Sequence, residues 1–143
     1  MKNVIVCMGF LILALFMCGC TTTSQEPAPT VHVTPDLLGN WSGTMYGYIE
    51  GTGYTNFSEE TMTMMVTEQH DRVFSGVMTF SNQVFHWEDK AFAGIISPDG
   101  MTLTIVEHGG GISSGTINGN EIELTYLDTG EPFMVAVDSL KKA

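Results

Sequence analysis

Titratable side chains gather at three places in this sequence of 143 residues: His70-Asp71, His86-Trp87-Glu88-Asp89 and Glu107-His108. A histidine beside a carboxylate is raw material for general acid–base catalysis, or for a metal site if further ligands join it. The spacing supplies no such partner. There is no His-x-His or His-x-x-x-His, and the three cysteines, Cys7, Cys18 and Cys20, all lie near the N-terminus. Gly109-Gly110-Gly111 before Ser113-Ser114 lacks the lysine and following helix of a phosphate loop. These acid–histidine neighbours therefore read as solvated strand ends. No catalytic residue, metal or cofactor is assigned, and the chain is expected not to be an enzyme.

The chemistry that the pattern does offer is apolar and soft. Methionine and aromatic residues recur at every second position: Met62, Met64 and Val66; Phe74, Gly76, Met78 and Phe80; Phe92, Gly94 and Ile96; Ile122, Leu124 and Tyr126. Period two is the signature of strands with one buried face. Thioethers and aromatic rings on that face suit an adaptable cavity as well as a filled core. Met45, Met64, Met78, Phe92 and Tyr126 are the candidate cavity residues, with Tyr126 as the main polar handle.

Eight strands are expected to position these side chains, at residues 39–50, 59–69, 73–80, 84–97, 101–107, 111–118, 121–127 and 133–140. In the last, Phe133, Val135 and Val137 are expected to face inward and Asp138 outward. Ser97-Pro98-Asp99-Gly100 and Asn118-Gly119-Asn120 are strong turn signals, and residues 51–58 read as a longer loop. Short links between consecutive strands imply an all-β, eight-stranded antiparallel up-and-down barrel. Closure would leave no exposed sheet edge. A two-sheet sandwich is the alternative. The domain spans residues 36–143.

What precedes it is of another kind. Lys2 and the apolar run Val4–Met17 resemble a signal peptide, assigned to residues 1–19. Met17-Cys18-Gly19-Cys20 resembles the lipobox of exported lipoproteins, which implies cleavage before Cys20 and its lipidation. Residues 20–35, Thr- and Pro-rich, read as an extended linker. With one cysteine left after cleavage, the exported domain has no intrachain disulfide. Past Cys20 the chain carries sixteen acids against Arg72, Lys90, Lys141 and Lys142, a balance near −12. That offers no basic surface for nucleic acid. The expected location is extracytoplasmic: the outer face of the cytoplasmic membrane, or an outer membrane where one exists.

Gly39-Asn40-Trp41 opens the first strand of this meander. It resembles the opening of the calycin group, the lipocalins and avidin-like barrels. The resemblance implies that Trp41 closes one end of a barrel, with a basic residue after the last strand packed on it, here Lys141 or Lys142, of which Lys141 is assigned. It also implies a binding function, and a small apolar or amphipathic ligand is the expected partner. A filled barrel acting as a structural or protein-interaction module of the envelope, through Tyr54 and Phe57, is the alternative. Asn40-Trp41-Ser42 and Asn56-Phe57-Ser58 are N-x-Ser triplets, which makes Asn56 and Asn40 candidate glycosylation sites.

Overall fold

The computed structural model describes residues 33–81 and 89–143. The signal peptide, Cys20, most of the linker and the His86-Trp87-Glu88 group lie outside the described residues. Within them every regular element is a strand: β1 Gly39–Ile49, β2 Gly53–His70, β3 Val73–Ser81, β4 Lys90–Ile96, β5 Thr102–Glu107, β6 Ile112–Asn118, β7 Glu121–Asp128 and β8 Met134–Lys142. Each pairs antiparallel with its neighbour in sequence, and β8 returns to pair with β1 in a closed barrel. The architecture is compatible with a calycin-like fold and excludes an open two-sheet sandwich.

Turn chemistry fixes the links. Gly100 N–H donates to the Ser97 carbonyl at 2.9 Å, and Asp99 accepts from the Met101 N–H at 2.8 Å. The β1–β2 link is shorter than the expected loop. Residues 50–52 form the turn, flanked by Ile49↔Gly53 and Tyr48↔Tyr54 pairs. Gly51 and Gly53, at φ of 79° and 92°, let the chain reverse where other residues would be strained. Strand pairing with β1 resumes at once, so Tyr54 and Asn56 are outward strand residues rather than loop residues; a register slip opposite Gly43–Met45 then moves the inward positions of β2 from Phe57 to Met62, Met64 and Val66.

An eight-stranded barrel is just wide enough for side chains to fill it. Here one half is filled. Leu37, Trp41, Phe74, Ile96, Leu103 and Leu140 are each no more than 2% exposed. Gly43 and Gly47 face the same interior on β1. A Cβ on Gly43 would fall onto the Ser139 carbonyl oxygen, and one on Gly47 onto that of Val135. β1 can therefore coil tightly against β8 only with glycine at these positions.

The expected facing of β8 is overturned. Met134, Ala136, Asp138 and Leu140 point inward, while Phe133 and Val135 are exposed. Both faces of this strand carry apolar side chains, so alternation alone does not choose between them. Pairing does. Directly opposed residues of neighbouring strands share a face, and Ile122, Leu124 and Tyr126 of β7 oppose Leu140, Asp138 and Ala136. Leu140 also opposes Gly43, where the missing Cβ makes room. Placing Leu140 inside carries Asp138 in with it.

Candidate functional site: the open end of the barrel

The two barrel ends are built differently. At the first, residues 33–38 fold over the strand ends. Leu37 N–H donates to Gln69 Oε1 at 2.8 Å, and Gln69 Nε2 donates to the Pro35 carbonyl at 2.8 Å. Trp41 Nε1 donates to the Leu37 carbonyl at 2.8 Å, which satisfies the indole inside the core. The lysine over Trp41 is Lys142, its Nζ 5.4 Å from the ring centre. The same ammonium donates to the Asp36 carbonyl at 2.8 Å. Lys141 is instead on the outer face, paired with Glu121 at 2.9 Å. Strand parity decides this: Leu140 is inward, so Lys142 is the next residue that can reach the closed end.

The second end holds a cavity of about 50 Å³. Its apolar wall is Met45, Met62, Met78, Phe80 and Met134, and its polar groups are Lys90, Glu107, Tyr126 and Asp138. Met45, Met78 and Tyr126 of the expected cavity residues are here. Met64 and Phe92 are buried deeper, in the packed part of the core.

The polar groups form a chain along the rim. Lys90 Nζ lies 3.7 Å from Glu107 Oε2 and 3.4 Å from the Tyr126 hydroxyl, which donates to Asp128 Oδ2 at 3.1 Å. Burial pushes the Glu107 carboxyl up, against the pull of Lys90. Burial, and then the Glu107 charge, push the Tyr126 hydroxyl up, so it stays a donor. A hydrogen bond from the Gly130 N–H draws the Asp128 carboxyl down.

Asp138 stands apart from this chain. It is 1% exposed, and its Oδ1 has no hydrogen-bond partner among the described residues. Burial, with the Glu107 charge second, raises its pKa to about 7. The Ser113 hydroxyl, opposite Tyr126 on β6, is likewise buried and without a partner. A buried carboxylate with an unfilled acceptor is costly, and its persistence asks for a reason.

Sequence reasoning missed Lys90, Glu107 and Asp138. The first two were readable from parity: Lys90 is two residues before inward Phe92, and Glu107 two after inward Ile105. Of the acid–histidine pairs, His70 is exposed and contacts Glu68 at 2.9 Å. His108 is exposed in the β5–β6 turn. Neither reaches the cavity. Asn56 and Asn40 are exposed on the outer face of β2 and β1.

No family model matches this chain, and neither a curated protein nor a solved structure does.

Proposed function

We propose that this chain is a lipid-anchored, extracytoplasmic binding protein with a calycin-like barrel, holding a small amphipathic ligand in its open end. The observation that carries this reading is Asp138, a buried carboxyl on a methionine-lined cavity whose Oδ1 has no partner among the described residues. A core selected for stability alone would place an apolar side chain there. A cavity of about 50 Å³ takes a small molecule, or the end group of a larger one. The calycin assignment draws support from Trp41 at the start of β1 under Lys142. The anchor draws support from the Cys20 junction.

Selective labelling of methionine methyl groups provides the test, with short-chain amines, alcohols and fatty acids as probes. Shifts confined to Met45, Met62, Met78 and Met134, weakened by Asp138→Asn, are expected. Silence of all four methyls across the panel would overturn the binding reading. Trp41 is a poor reporter because it sits at the opposite end. Cys20→Ser should move the protein from the detergent phase to the aqueous phase on extraction of cells; unchanged partition would remove the anchor.

One separate observation favours an interaction module. Tyr54, Tyr48, Val135, Leu127 and Ile112 oppose one another in an unbroken exposed row across β2, β1, β8, β7 and β6. Phe133 stacks on Tyr48 with ring centres 6.1 Å apart. A photo-cross-linker at position 54 that captures a single envelope protein would favour that reading.

A further inference from the structure

We propose that the open end of the barrel binds a soft monovalent metal ion, Cu(I) or its redox-stable analogue Ag(I), through thioethers of Met45, Met62, Met78 and Met134 with Asp138 as counter-charge. The inference rests on reading this end as a binding site, and it assigns that site an ion in place of an amphipathic molecule.

The donor set is the first argument. Seven methionines lie among the described residues. Four of them line one small cavity, on β8, β1, β2 and β3, which are contiguous in the barrel. Met64 is packed below, and Met65 and Met101 are exposed. Thioethers are uncharged, polarisable donors. They select Cu(I)-type ions and are poor ligands for hard cations, which require many oxygens.

Charge is the second argument, and it is independent of the methionines. Lys90 is matched by Glu107 at 3.7 Å, so no side-chain cation named at this end is left to answer Asp138 when it gives up its proton. Met45 opposes Asp138 directly across the β1–β8 pair, which puts a soft donor and the unmatched carboxyl on adjacent inward positions. A bound monovalent cation would neutralise that carboxylate and occupy its free acceptor. Size is the third. A water molecule needs roughly 10–15 Å³ of such space, so about 50 Å³ accommodates an ion more readily than an organic body. Binding is reversible coordination and involves no electron transfer.

The experiment uses the full chain with its cysteines alkylated and its methionine methyls labelled with carbon-13. Silver nitrate is titrated in chloride-free buffer. Saturation at one equivalent is expected, with shifts at Met45, Met62, Met78 and Met134 and none at Met64, Met65 or Met101. Asp138→Asn should weaken the binding by about tenfold or more. Met45→Leu combined with Met134→Leu should abolish it, while the remaining methyl spectrum shows an intact fold. Shifts spread over exposed Met65 and Met101, or unchanged affinity in Asp138→Asn, would overturn the metal site. Butylammonium as a parallel probe separates the two readings. If it moves the four methyls and silver does not, the metal proposal fails and the ligand site stands. If neither moves them, both fail.

Discussion

The two ends of this barrel use the same strands for opposite purposes. At the Trp41 end every polar side chain named has a partner: the buried indole with Leu37, the half-buried Gln69 amide with Leu37 and Pro35, and Lys142 with Asp36. At the other end Asp138 and Ser113 keep hydrogen-bonding atoms unfilled among the described residues, and four methionines make up most of the apolar wall. One end is organised for stability. The other gives up stability for a cavity with a fixed polar point. Natural folds depart from local consistency mainly where they work, and among the described residues the unfilled buried polar atoms are Ser113 Oγ and Asp138 Oδ1.

The most direct way to break this comparison is to remove the plug. Trp41→Ala deletes the largest side chain of the closed end and leaves the Leu37 carbonyl without its donor. Loss of about 3–5 kcal/mol is expected for such a truncation, read as a lowered midpoint in urea. If the midpoint moves by less than a fifth of that amount, the closed end is not where stability resides.

The next largest effect comes from the open end and has the opposite sign. Asp138 holds its proton to about pH 7 when folded, against an ordinary value of 3.8. Between those values the folded chain binds a proton that the unfolded chain has released. The contribution of this group is therefore fully present below about pH 3.8 and is lost as pH rises through about 7. About three pH units correspond to roughly 4 kcal/mol at most. Glu107, also raised, adds to the same slope, while its partner Lys90 limits the addition. Asp138→Asn removes the charge but leaves amide groups without partners, at a cost of about 1–3 kcal/mol. The net expectation at pH 8 is a gain of roughly 2 kcal/mol and a flatter stability profile between pH 4 and 7. Chemical denaturation across that range reads both. Destabilisation at pH 8 with the slope unchanged would mean that Asp138 has partners in solution and is part of a satisfied core.

Why one end was legible in the sequence and the other was not follows from the same contrast. Period-two alternation and turn residues located eight strands, because burial of one face is what that pattern records. Trp41 could be placed because Gly-x-Trp opens the first strand of the meander. Asp138 could not, because β8 is apolar on both faces and only cross-strand register, through Leu124 and Met45, sends the acid inside. Lys90 and Glu107 were hidden by a general expectation that charge at a strand end is solvated. Met45, Met78 and Tyr126 were read as cavity residues from type and parity. Met64 and Phe92 share that type and parity but lie deeper, and depth along the barrel is not encoded in a local pattern.

The smallest expected effect separates two adjacent lysines and so tests parity itself. Lys142 lies over Trp41 and donates to the Asp36 carbonyl, tying the last strand to the segment that covers the closed end. Its stem and charge both contribute, so Lys142→Ala should cost about 1 kcal/mol. Lys141, one residue earlier, pairs with Glu121 on the solvent side. Exposed pairs of this kind are screened and lose side-chain freedom in forming, so Lys141→Ala should leave the melting temperature unchanged. Salt sharpens the distinction. Raising ionic strength should erase any effect of Lys141→Ala, whereas the Lys142→Ala loss should persist, since contact with the indole face and the backbone carbonyl is partly shielded from solvent. Equal effects of the two substitutions would show that the indole gains nothing from a cation above it, and that Leu37 and the Gln69 bonds alone close this end.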